Sequence, residues 1–226
     1  MRLSLPPLLS FTAGYADTAG FLALKGLFTA HVTGNFVTLS ASLVFGTSGA
    51  ISKVLALPIF CAVIFLMRLL ANRLRRAGIP VLRTLLSFEV VLIAICAAVA
   101  AWRGPFADPD SAPALVVGMA LVAALAIQNA AHRVHLSAAP PSTVMTLTTT
   151  QIMLDLADVV HGLRPDQRPV THQRLVRMGT SVLMFASGCG LSALAYAYVG
   201  VWSFSVLVVL ASLALLLREA LTDASV

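Results

Sequence analysis

The sequence has few charged residues, which make up only 11% of its 226 positions. A soluble domain usually carries about 25% charged residues. Hydrophobic residues instead make up 59% of the chain, and its mean hydropathy is +0.93. These values exclude an ordinary soluble domain and predict a polytopic, all-α membrane protein whose first partner is the lipid bilayer.

Cysteines are also scarce: Cys61, Cys96 and Cys189 are far apart and fit neither a disulfide framework nor a zinc pattern. The sequence contains no glycine-rich phosphate loop, no nucleophile elbow and no zinc-protease motif. We therefore expect no enzymatic activity, no catalytic residue, no metal site and no cofactor. Cys189 lies within Gly188-Cys-Gly-Leu-Ser192, where small residues four apart predict close helix packing.

Acidic residues number 9 against 15 lysines and arginines, which gives a net charge of +6. The basic residues form no stripe interleaved with aromatics, so we expect no nucleic-acid partner. Most arginines lie in two gaps between apolar segments, here named the first arginine gap (residues 73–83) and the second arginine gap (residues 164–177). Positively charged loops stay in the cytoplasm, so both gaps are predicted to be cytoplasmic. Glu89, shortly after the first gap, is expected near the same surface.

Eight apolar segments can be distinguished. They cover residues 5–24, 31–46, 54–72, 83–102, 114–131, 143–160, 177–197 and 200–218. Three segments separate the two arginine gaps, and three full crossings would place these gaps on opposite faces. The conflict disappears if segments five and six together cross the membrane once, and segments one and two do likewise. The prediction is about six net crossings with both termini in the cytoplasm.

The segments also divide into two halves of four, residues 1–103 and 114–220, within one integral membrane domain that spans 1–226. Corresponding loops in the two halves have opposite charge bias, as expected for inverted repeats. Each half begins with segments that are short or interrupted by polar residues. Inverted repeats with short or broken helices in matching positions are typical of secondary transporters.

Asp17 and His31 are ionisable residues in a stretch otherwise apolar enough to enter a bilayer. A charged side chain at membrane depth costs roughly 2.5–3.5 kcal/mol on insertion scales, so it usually serves a purpose. Two interpretations stay open: a proton-responsive functional pair and a purely structural pair. A carboxylate beside His31 would favour its protonated imidazole, so we expect transport to depend on pH between about 5 and 8.

Further polar residues recur with helical spacing in both halves. If segment two is a helix, His31, Asn35, Thr38 and Ser42 lie on one face. A shift of 113 residues aligns the last three with Thr148, Gln151 and Asp155, and aligns His31 with Val144. Asp17 falls within one residue of Asn129. These stripes are explained either by interhelical hydrogen bonds or by a solute pathway.

The motifs themselves resemble a known family. Gly14-Tyr-Ala-Asp17, Gly20-Phe-Leu22 and His31-Val-Thr-Gly-Asn35 are similar to the first half of the YoaK family of bacterial membrane proteins, a domain of unknown function. Gln128-Asn-Ala130 resembles the second half, although Leu147 stands where the family tends to have glycine. The resemblance spans nearly the whole chain. It implies a bacterial inner-membrane location and, as an expectation, small-molecule transport.

We therefore expect a secondary transporter or permease for a small solute, with proton coupling open. The alternative is a non-transporting assembly or sensory protein of the membrane. The sequence does not identify the solute, and it is compatible with a homo-oligomer. The predicted solute-binding residues are polar and lie in segments one, two, five and six: Asp17, His31, Asn35, Thr38, Gln128, Asn129, Thr146, Thr148 and Gln151.

Overall fold

All regular secondary structure in the described part of the chain is helical. The computed structural model describes residues 4–136, 139–143 and 145–223. Within these ranges eight α-helices follow one another, numbered α1 to α8 in chain order. They are Leu5–Ala23, Asn35–Phe45, Ala50–Arg76, Val81–Arg103, Ala112–His135, Met145–His161, Arg168–Val199 and Phe204–Asp223. Short 3₁₀ turns at Val32–Gly34 and Gly200–Ser203 precede α2 and α8.

Four stretches are long and apolar enough to cross a membrane. They are α3, α4, α5 and the 50-residue stretch Arg168–Leu217, which contains α7 and most of α8. At about 1.5 Å per residue, 50 helical residues span about 75 Å, roughly two and a half times the thickness of the 30 Å hydrocarbon core. The all-helical, membrane-type architecture is therefore confirmed, while six crossings, the inverted repeat and the boundaries of its two halves remain predictions.

The core forms around α1 and α5, which bury more of their residues than the helices around them. α1 packs against α7 and α8, and α5 packs against α3 and α4. The outer helices expose large apolar side chains, such as Phe65, Leu183 and Val209, each more than 60% exposed. An apolar exterior of this extent suits a surface that faces lipid, not water.

The closest approach of two helices is that of α1 to α7. A Cβ on Gly14 would lie 2.2 Å from the Phe185 carbonyl oxygen, and one on Gly188 would lie 2.2 Å from that of Phe11. Only glycine fits at such distances, since no side-chain atom then separates the two backbones. The predicted close packing at Gly188–Ser192 is confirmed, and it fixes α7 beside the polar end of α1.

The loop after α4 fixes the beginning of α3. Asp110 accepts hydrogen bonds from the backbone N–H groups of Gly49, Ile51 and Ser52, at 3.1, 3.3 and 3.0 Å. These N–H groups belong to the first turn of α3, where no intrahelical acceptor is available. Burial tends to raise the pKa of Asp110, but the three hydrogen bonds outweigh it and hold that pKa below its usual value.

Candidate functional site

The first polar cluster lies where α1 ends and the chain turns back towards α2. Asp17, in the second half of α1, is buried, and its Oδ1 accepts hydrogen bonds from the backbone N–H groups of Thr29 and Ala30 at 2.7 and 2.8 Å. The chain can turn sharply here because Lys25 and Gly26 adopt positive φ angles. One carboxylate oxygen is thus committed to holding the loop.

The other carboxylate oxygen meets the imidazole. His31 Nδ1 lies 2.7 Å from Asp17 Oδ2, and the side chains are 37% and 6% exposed, respectively. The sequence motif therefore does bring these two residues together. The His31 ring also meets the Phe185 ring of α7 edge to face, with centroids 5.3 Å apart. The imidazole is thus the more accessible member of the pair.

His31 lies ahead of α2, which begins at Asn35. The expected helical stripe starting at His31 is therefore wrong in its first member, because Val32–Gly34 forms a 3₁₀ turn. Asn35 uses both ends of its amide on the loop: Oδ1 accepts from Phe28 N at 2.9 Å, and Nδ2 donates to Phe28 O at 2.8 Å. Asn35 thus shapes the site, and Thr38 lies one turn further along α2.

A cavity of about 460 Å³ opens beside this pair and is here named the first cavity. Its lining comes from α1, the following loop and α7. It includes Asp17, Thr18, Phe28, His31, Phe185 and Cys189. The walls of the first cavity are therefore mostly apolar, with one carboxylate–imidazole pair at the side. This composition suits a small ligand or a chain of water molecules.

The second polar cluster repeats the same connection on α5 with different side chains. Gln128 Nε2 donates to Ser142 Oγ at 3.0 Å, and Thr143 Oγ1 donates to Asn129 Oδ1 at 2.7 Å. Each pair is separated by 14 residues, like Asp17 and His31. Gln128 Nε2 also donates to the Leu9 carbonyl of α1 at 3.0 Å. Val144, the residue aligned with His31, lies outside the described residues.

A second cavity of about 460 Å³ lies beside this cluster. Its lining comes from α5, the following loop and α3. It includes Phe60, Ile64, Asn129, His132, Arg133 and Ser142. Asn129 thus lines the second cavity, as Asp17 lines the first.

The remaining predicted residues lie on α6, away from both cavity linings. Thr148 is buried, whereas Thr146 is exposed. Gln151 Nε2 donates to Asp155 Oδ1 at 2.7 Å, and Asp155 forms a bidentate ion pair with Arg174 of α7, with both N–O distances at 2.6 Å. The nine predicted residues therefore fall into three groups, one of which is built around an ion pair.

Sequence reasoning missed several buried polar residues. Lys53, which lies just before the predicted apolar segment 54–72, belongs to the first turn of α3, and its Nζ donates to Ser42 Oγ at 2.6 Å. The alignment of Ser42 with Asp155 could have indicated that both helices contact a cation of the next helix. Glu89 is buried in α4 and not at the surface, a position that no local pattern reveals. Within the described ranges no His, Cys, Asp and Glu group is suited to a metal ion.

Residues 5–217 match a family model described as a protein of unknown function (DUF1275). No curated protein and no solved structure matches the chain. The match covers all eight helices except the last residues of α8. It confirms the resemblance seen in the sequence motifs. The chain therefore belongs to the DUF1275 family of proteins of unknown function, of which YoaK is a member.

Proposed function

We propose that this membrane protein is a secondary transporter or permease for a small solute, with Asp17 and His31 as its proton-responsive pair. The observation that carries the proposal is the 2.7 Å contact between these side chains at the wall of the first cavity. A buried carboxylate in an apolar helix is costly, and at membrane depth such groups mark solute or proton paths.

The division of labour within Asp17 supports this role. Its Oδ1 accepts two backbone hydrogen bonds from the loop, which a proton on the pair would weaken but not remove. Among the described residues its Oδ2 is hydrogen-bonded to His31 alone, so the imidazole is the group through which charge at this site would change. Protonation would alter the charge at the cavity wall without breaking the contacts that shape the cavity, which is what a coupling site requires.

The two cavities support an inverted repeat. We infer that α1–α4 and α5–α8 are equivalent halves, because each cavity is formed by the first helix of one half and the third helix of the other. Phe185 and Cys189 line the first cavity with the same four-residue spacing as Phe60 and Ile64 in the second. Alternating access by rocking of such halves is a mechanism of this architecture.

The charge pattern supports the orientation. The two arginine gaps belong in the cytoplasm, so we place both termini there and the protein in the bacterial inner membrane, with about six net crossings. Under this arrangement the first helix pairs, α1 with α2 and α5 with α6, each cross once. Both cavities would then lie along paths between the two faces.

The test is transport by purified protein in liposomes that contain a pH-sensitive dye. A panel of small solutes, including inorganic phosphate, is added outside, and solute uptake and internal pH are recorded together. We expect one solute class to enter with a pH change, and Asp17→Asn to abolish both signals. Asp166→Asn, which removes an exposed carboxylate from a loop, is the matched control and should transport normally.

Absence of uptake for every solute, with correctly folded protein, would contradict transport and favour the assembly or sensory alternative. Uptake that survives in Asp17→Asn would instead remove Asp17 from the mechanism while leaving the transport proposal intact. The two results thus separate the function from the residue assigned to it.

A further inference from the structure

The second cavity differs chemically from the first. No carboxylate lines it within the described residues, whereas the first cavity contains Asp17. Its polar lining includes His132, Arg133 and Ser142. Ser142 Oγ accepts a hydrogen bond from Gln128, which leaves its own proton to donate. The cavity therefore offers a permanent positive charge and a hydroxyl donor.

His132 adds an acceptor that has no partner. The side chain is 5% exposed, and its Nε2 lies 3.3 Å from the Ala139 carbonyl, so Nε2 carries the proton of the neutral ring. Its Nδ1 is buried and makes no hydrogen bond with any described residue. A buried polar atom without a partner is destabilising, and a bound hydroxyl that donates to it offsets that cost.

The neighbouring space, here named the arginine cavity, is strongly basic. It has a volume of about 480 Å³ and is lined by Arg68, Arg75 and Arg133 together with apolar side chains. No carboxylate lines it, and none of the three arginines has an ion pair in the described part of the chain. Arg133, Ile64 and Ala130 line both cavities, so the two spaces adjoin. Three guanidinium groups around one space attract an anion.

We propose that the second cavity binds an anion that also carries a hydroxyl group, with phosphate as the simplest example. Arg133 meets the negative charge, Ser142 donates to it, and Nδ1 of His132 accepts from the hydroxyl. Arg68 and Arg75 draw the anion in through the arginine cavity. The identification of this anion as the transported solute rests on the proposed function. Binding of the anion does not, because a binding site needs no transport. The same chemistry occurs in free phosphate and in the phosphoglycerol headgroup of a lipid.

The experiment measures binding of inorganic phosphate to the full-length protein in detergent by titration calorimetry. We expect saturable binding, at least about tenfold weaker in Arg133→Gln, because a hydrogen bond to a charged group contributes about 1.5–3 kcal/mol. Arg73→Gln is the matched control: it removes an equal charge from an exposed position on α3 outside both linings, and should bind normally. Sulfate, which has no hydroxyl at neutral pH, should bind more weakly than phosphate.

Native mass spectrometry distinguishes the lipid source. Protein released from phosphatidylcholine vesicles that contain phosphatidylglycerol would retain the latter in the wild type and lose it in Arg133→Gln. Binding of phosphate or phosphatidylglycerol that depends on Arg133 but not on Arg73 supports the site and identifies its occupant. Binding of neither, or equal loss in both variants, overturns it. Phosphate that binds but does not enter liposomes would count against transport of this anion and leave the anion site standing.

Discussion

Substitution of Asp17 is the sharpest test, because two substitutions separate its two duties. Asp17→Asn keeps an oxygen for the backbone N–H groups of Thr29 and Ala30, and its new amide can donate to His31 Nδ1. Asp17→Ala removes every acceptor and leaves both N–H groups buried. The first variant therefore removes the charge and largely preserves the loop, and the second removes both.

The magnitudes follow from the contacts. Hydrogen bonds to a charged acceptor contribute about 1.5–3 kcal/mol and neutral ones about 0.5–1.5 kcal/mol, so the two weakened bonds in Asp17→Asn cost about 2–3 kcal/mol in all. Asp17→Asn also removes the cost of burying a charge in the membrane, and this gain reduces the loss of stability. Two unsatisfied N–H groups in Asp17→Ala cost about 2–6 kcal/mol at the same site. We expect Asp17→Asn to unfold close to the wild type and Asp17→Ala well below it.

The assays are thermal unfolding in detergent and the liposome assay, run on the same preparations. The expected result is a folded but inactive Asp17→Asn and a destabilised Asp17→Ala. Equal stability of the two variants would show that Asp17 does not hold the loop. A fully active Asp17→Asn would show that its charge has no functional role.

Four further predictions follow from the remaining features. His31→Gln should flatten the dependence of uptake on pH between about 5 and 8 while solute binding survives, and superimposable profiles would exclude His31 as the proton-handling group. Tags in both arginine gaps should report the cytoplasm and a tag in loop 104–112 the outside, whereas opposite reports from the two gaps would contradict the inverted repeat. Gly188→Ala should lower stability by about 1–3 kcal/mol, because its Cβ meets backbone, while Gly190→Ala, with nothing within 4 Å, should not. The pKa of Asp110 is lowered in the folded state, so this residue stabilises the fold above its ordinary pKa, and the stabilisation is lost as pH falls through its folded-state pKa. Asp110→Asn should therefore remove this part of the pH dependence of unfolding in acid, as measured by thermal unfolding.

Local features of this fold could be predicted from the sequence because the chemistry that fixes them is local. Apolar runs of helical length predicted the positions of the helices. However, α3 and α7 are longer than the predicted apolar segments and include the arginines next to them. Charged helix ends look like loops in a hydropathy pattern, and that is why Lys53 was assigned to a gap. The pairing of Asp17 with His31 was accessible because only a short loop separates them.

Contacts between different helices were not accessible, even where the helices follow one another in the chain. Arg174 lies in the second arginine gap and looks like a topology signal, yet it pairs with Asp155 of α6 at 2.6 Å. Glu89 is buried only because α4 turns that face inward. In both cases the partner or environment is set by tertiary packing, which spacing along one chain does not encode.

In the proposed inverted repeat, the two halves have the same geometry but carry different polar side chains. Asp17 and His31 form an ionisable pair, whereas Gln128 and Asn129 form neutral hydrogen bonds with side chains that likewise lie 14 residues further along the chain. A neutral amide pair cannot alter its charge, so of these two sets of contacts only Asp17 with His31 can respond directly to protons. Communication with the second cavity must then run through contacts between the halves. Gln128 is placed for this, because its Nε2 donates both to Ser142 of the second loop and to Leu9 of α1, the helix that carries Asp17. A movement of α1 that follows protonation would therefore pull on the wall of the second cavity, and coupling would be mechanical between helices and not electrostatic between charges.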